Sequence, residues 1–243
     1  RQCQGCCFYS TCHQTLSNNL TDRKLIMKKN IKSTLGSIAL LTLLSACSTQ
    51  PSSVEIDKLT AEIVKASFSD KGIVKVSRLE TDEANKLCSA AEVAGKELDV
   101  KAAKAIEAAN LKLVKWPSDG KFVGDWKTGE KLAQSGRGMT WTDLPTTLNG
   151  GNCYNCHQID KKEVSFGTIG PSLYNYGKLR QVKDVTDPAS KAVLEYTWGK
   201  IWNSRAYSAC SSMPRAGHSG IMTEEQVKHL VALLVDPKSP VNQ

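Results

Sequence analysis

Apolar residues recur at helical spacing through most of the chain. Ile56, Leu59, Ile63, Val64 and Phe68 fall three to four apart and predict a helix over residues 54–68. Lys71–Val76 reads as a short extended link broken by Gly72. Thr81-Asp-Glu-Ala is a helix-start signature, and the helix it opens continues through Leu87 and Ala91 towards Gly95-Lys96. An alanine-rich stretch of high helix propensity runs from Val100 to Val114, and Trp116-Pro117-Ser-Asp-Gly120 ends it. Residues 125–133 read as an amphipathic helix in which Gly129 permits close approach of a second helix. Trp198, Ile201 and Trp202 lie at helical spacing and read as pocket wall and core, the alternative being an electron path. The last helix is predicted over residues 223–234, with Val227, Leu230, Val231 and Leu234 on its apolar face. Thr223-Glu-Glu-Gln226 gives it a capping box, Met222 a hydrophobic staple, and Asp236-Pro237 a stop. The pattern is all-α throughout.

One apolar run stands apart. Met27-Lys-Lys-Asn-Ile-Lys-Ser, then Thr34–Leu44, then Ser45-Ala46-Cys47, has the basic start, apolar middle and small-residue end of an export signal. The run is too short for a permanent span. Residues 1–26 are read as translated upstream sequence that does not belong to the mature protein, a real cysteine-rich N-terminal element being the alternative, and 27–46 as the signal itself. Leu44-Ser-Ala-Cys47 resembles a lipobox, so Cys47 is a candidate for lipid attachment, the alternative being an ordinary signal cut near a cysteine. Ser48-Thr-Gln-Pro51 reads as a flexible tether. Residues 47–120 then form tether and helical extension, and 121–243 a second domain. Export implies a periplasmic location, with a possible tether to the membrane.

The formal net charge is +8, but residues 1–46 hold six of the 32 basic and one of the 24 acidic residues. The remainder carries 26 against 23, a balance of +3, which supports no nucleic-acid surface.

Cys153-Tyr-Asn-Cys156-His157 is the C-x-x-C-H attachment site of a c-type haem. Its two thiols share one turn, where each can add to a haem vinyl group, and the next residue offers an imidazole to the iron. A zinc site needs about four ligands, and no second C-x-x-C or H-x-x-x-H follows. The expected cofactor is one covalent haem c, with His157 as an axial ligand. Cys88 and Cys210 remain as an even pair for an oxidising compartment, as a disulfide or as two separate buried thiols.

Gly167-Thr-Ile-Gly170-Pro171 reverses the chain after His157. Pro171 has no N–H, and its carbonyl is a candidate acceptor for His157 Nδ1–H, a bond that would orient the ring; a plain turn is the alternative. Candidates for the sixth iron ligand are Met139, Met213, Met222, His218 and His229. Met213 is preferred because Pro214 fixes its loop and thioether ligation raises the reduction potential. His218 is the runner-up. Met139 is assigned to packing near the haem and His229 to the helix surface. Arg215 pairs with a haem propionate or is a solvated loop arginine.

Gly136-Arg-Gly-Met-Thr-Trp, Asn149-Gly-Gly-Asn-Cys-Tyr-Asn-Cys-His-Gln158, Gly167-Thr-Ile-Gly-Pro-Ser-Leu173 and Cys210-Ser-Ser-Met-Pro-Arg215 together resemble the SoxX family. These are monohaem cytochrome subunits of the SoxAX thiosulfate-oxidising complex. The resemblance runs from about Ser67 to Pro237, with Leu87-Cys88-Ser89 less distinctive. It implies a class-I-like cytochrome c domain with an N-terminal helical extension, and Met213 opposite His157. It also implies a SoxA-like partner that carries the chemistry, the SoxYZ carrier protein indirectly, and an acceptor cytochrome. The chain would then transfer electrons without itself being catalytic; the alternatives are an independent lipid-tethered periplasmic electron carrier, and a haem ligand sensor or peroxidase with a displaceable methionine. The lipobox-like Cys47 departs from the plainly soluble members.

Overall fold

A computed structural model describes residues 52–243. The upstream segment, the export signal and Cys47 lie outside the described residues. Residues 61–243 belong to one compact unit. It is helical: among the described residues the only strand-like pairing is an isolated bridge between Lys71 and Val74.

Seven α-helices occur among the described residues, joined by loops and short 3₁₀ turns: α1 Ser53–Ser67, α2 Glu83–Val93, α3 Val100–Leu111, α4 Trp126–Gln134, α5 Tyr176–Leu179, α6 Lys191–Trp202 and α7 Glu224–Val235. None is long and apolar enough to cross a membrane. Helix α1 buries no residue, and Ile56, Leu59 and Ile63 stay exposed.

The core is built where α4 crosses α7. Helix α7 buries Val227, Leu230, Val231, Leu233 and Leu234. It starts at Thr223, whose hydroxyl accepts the Gln226 amide while the Gln226 side chain accepts the Thr223 amide. Such caps each stabilise a helix by about 1 kcal/mol. Helix α4 starts at Asp125, which accepts from the Lys127 and Thr128 amides. Its Gly129 lies so close to α7 that a Cβ there would overlap the His229 carbonyl oxygen. The small residue is what lets the two backbones approach.

His229 is therefore not the surface residue expected. Its side chain is 18% exposed, and its Nδ1 accepts the Asp125 amide at 2.9 Å. The histidine joins the start of α4 to α7. Met222, expected as a staple at a helix start, is a core residue at 3% exposure.

Helix α6 supplies the other wall of the core. Trp198 is fully buried, its ring stacks on Trp202 at 5.5 Å between centroids, and its indole N–H donates to the Lys115 carbonyl. Helix α3 packs on the 3₁₀ turn Ser204–Ala206 that follows α6. Asn203 there donates to the Asn110 carbonyl and side chain, and the Ala209 amide donates to Glu107. Cys88 of α2 and Cys210 form a disulfide, with Cα atoms 5.5 Å apart.

Candidate functional site

The C-x-x-C-H segment enters from a loop laid along the end of α4. The Gly150 amide donates to Arg137, Gly151 to Leu132 and Asn152 to Ser135. Asn149 ties this loop to others: its side chain donates to the Ile221 carbonyl, and its carbonyl accepts from Gln226. The Met139 amide also donates to the Asn149 side chain. Met139 itself, at positive φ, gives its carbonyl to Arg78.

Asn152 then takes the left-handed conformation and starts a 3₁₀ turn over Cys153–Asn155. The Cys156 and His157 amides both donate to the Cys153 carbonyl, at 3.1 and 2.9 Å. Both thiols are thus on one tight turn, and both are free, although the chain's other described cysteines are bridged. Cys153 packs on the core, and a Cβ on Gly151 would lie 2.8 Å from its sulfur and 2.9 Å from Met222 Cε. Burial pushes the Cys153 thiol up to about 12, so it stays protonated at neutral pH.

Tyr154, between the cysteines, is buried. Its hydroxyl donates to Glu130 Oε1 at 2.8 Å and accepts the Asp160 amide at 3.2 Å. Burial raises Glu130 above its ordinary value, and the nearby Asp160 and Glu163 charges add to this against the Tyr154 hydrogen bond.

His157 lies against Gly170. The Gly170 amide donates to the Cys156 carbonyl at 2.8 Å, and a Cβ at this position would overlap the imidazole ring. The absent side chain leaves the shelf on which the ring rests. Pro171 O is 2.7 Å from His157 Nδ1. A carbonyl only accepts, so Nδ1 carries the proton, and in the neutral ring it is then Nε2 that holds the lone pair. Two free thiols on one turn, beside a histidine held as a metal-ligating tautomer, fit a covalent haem. When bound, that group supplies a reversible one-electron iron couple.

Met213 lies in the loop after α6 and is partly buried against the core. Ser204 Oγ donates to its carbonyl at 2.6 Å, and its amide donates to Ser211 Oγ at 3.3 Å. His218 is an exposed residue; the partial covering of its ring, and then the nearby Arg215 charge, lower its affinity for a proton. Arg215 is bonded to Asp82 at 3.1 Å. Asp82 also takes Arg205 through both its oxygens, at 2.9 and 2.7 Å. Sequence reasoning had no hold on Asp82 or Arg205 beyond a helix-start signature, because their partners are more than a hundred residues away.

Residues 146–236 match the Cytochrome c family. An uncharacterised lipoprotein of Aquifex aeolicus (strain VF5) is 38% identical over 133 residues, 54% of this chain and 58% of its own. The chain thus spans less than two thirds of that relative. Helices without strands among the described residues, a tethered C-x-x-C-H turn and the family match show that residues 146–236 lie in a cytochrome c domain, which implies electron transfer through a covalently bound haem c.

Proposed function

We propose that the protein is an export-side, lipid-tethered monohaem electron carrier that serves as the redox subunit of a SoxAX-type complex. Cys153 and Cys156 hold the haem, and His157 and Met213 are the axial pair. The observation that carries the electron-transfer reading is the His157 ring, fixed between Gly170 and the Pro171 carbonyl with Nε2 free. With the Met213 thioether as second protein ligand, a bound iron would keep no position for substrate and would supply electron exchange alone. The complex-level reading is supported by the C-x-x-C-H, Gly-Pro and Met-Pro segments shared with SoxX. In that setting the SoxA-like partner joins thiosulfate to a carrier-protein cysteine, and this chain passes the electrons to an acceptor cytochrome. Lipid attachment at Cys47 is supported by the lipobox-like sequence and by the Aquifex relative, itself described as a lipoprotein.

The second reading is an independent carrier on the same lipid tether, without an obligate partner. Size-exclusion chromatography of the haem-loaded protein with a SoxA-like protein from the same genome separates the two. Co-elution supports the subunit. Separate elution, with unimpaired reduction of a small acceptor cytochrome, supports the independent carrier.

A further inference from the structure

Helix α2 holds the Met213 segment at both ends. Before the methionine, Cys88 is bonded to Cys210 across a sequence separation of 122. After it, Arg215 is bonded to Asp82, the residue that caps α2 by accepting the Asn85 amide at 2.8 Å. The same carboxylate takes Arg205, whose guanidinium also reaches the Asn85 side chain. Arg205 and Arg215 side chains are 11% and 26% exposed, while Asp82 between them keeps 39%. Burial disfavours the Asp82 charge, but the Asn85 amide and the two guanidiniums outweigh it and hold the carboxyl below its ordinary value.

Along this seam runs an open cleft of about 830 Å³, lined by Cys88, Val93, Cys210, Met213, Pro214 and Arg215 among others. Within the methionine loop Cys210, Ser212 and Pro214 are exposed. Exposed loops of low contact density open locally at little cost. The covalent bond and the ion cluster are what oppose that opening here.

We propose that the N-terminal extension is a clamp for the axial ligand. Asp82 and Cys88 are positioning residues that keep the Met213 thioether over the iron, through Arg215, Arg205 and Cys210. The inference rests on Met213 as the sulfur ligand. Asp82→Asn keeps a cap for α2 and removes the charge that both guanidiniums hold. Cys88→Ser with Cys210→Ser removes the covalent tie.

The test uses the full haem-loaded chain, the two clamp variants and Met213→Ala. Three readouts apply: the ferric sulfur-to-iron band, carbon monoxide binding by the ferrous protein, and amide exchange over residues 211–215. Each clamp variant is expected to bind carbon monoxide about tenfold faster, the factor that follows from loosening the loop by ~1.4 kcal/mol. Amide exchange over the loop rises in step, while the band persists in weakened form. If both clamp variants match wild type in all three readouts while Met213→Ala loses the band, the clamp is refuted and the ligand assignment stands. Absence of the band from wild type overturns the ligand assignment and the clamp with it. Should the cysteine double variant not fold, Asp82→Asn decides alone.

Discussion

His157 Nδ1 lies 2.7 Å from the Pro171 carbonyl oxygen, and the imidazole ring rests on Gly170. The hydrogen bond sets the tautomer, and the glycine sets the ring plane. A methyl group at position 170 has nowhere to go without moving the imidazole. Gly170→Ala should destabilise the protein by about 1–3 kcal/mol, the usual cost of overpacking. It should also disturb the haem spectrum. Urea unfolding with an absorbance scan checks both, and a native spectrum at unchanged stability would show that the ring has room to shift.

Gly129 plays the same part for the fold. A Cβ there would overlap the His229 carbonyl and sit 3.0 Å from Leu233 Cβ. Gly129→Ala gains helix propensity of about 1 kcal/mol, yet the forced separation of α4 and α7 should outweigh it. A net loss of about 1–2 kcal/mol is expected. The midpoint of denaturant unfolding should fall at constant slope, and a midpoint that rises would mean the crossing is looser than drawn.

Much of this was legible in the chain. The α4 and α7 helices announce themselves through caps and periodicity, and C-x-x-C-H declares its cofactor because the chemistry demands adjacent residues. Helix α6 was visible only through Trp198, Ile201 and Trp202. It is buried on most sides, so its apolar positions form no single stripe to read. His229 was misplaced for a related reason. Its ring bonds the Asp125 amide, a partner 104 residues away that no local pattern reveals. The Asp82–Arg205–Arg215 cluster was hidden likewise, since ion pairs between distant segments leave no periodic trace.

The Cys88–Cys210 bridge spans a sequence separation of 122. A loop of that size should stabilise the fold by about 2–5 kcal/mol in the chain-entropy account. The double serine variant should lose that much in equilibrium unfolding. A loss below measurement error would mean that the α2 segment stays docked through the Asp82 cluster alone.

Stability should respond to pH in two opposite ways. Glu130 is raised from 4.5 by burial, so its contribution is complete below about 4.5 and declines as pH climbs through the folded value. Asp82 is lowered from 3.8, so its contribution is complete above about 3.8 and is lost as pH falls through the folded value. Glu130→Gln should therefore gain on wild type as pH rises from 4.5 towards neutrality. Asp82→Asn should lose least, relative to wild type, at the most acid pH. Unfolding free energies measured across the acid range check the signs, and a constant gap between either variant and wild type would remove that residue from the account.

The central claim is that His157 and Met213 close both faces of the iron, which makes the protein an electron relay. The near-infrared spectrum of the ferric protein tests it most directly. A sulfur-to-iron charge-transfer band present in wild type and absent from Met213→Ala is the predicted result. A band that survives in Met213→Ala, or none in wild type, would contradict it.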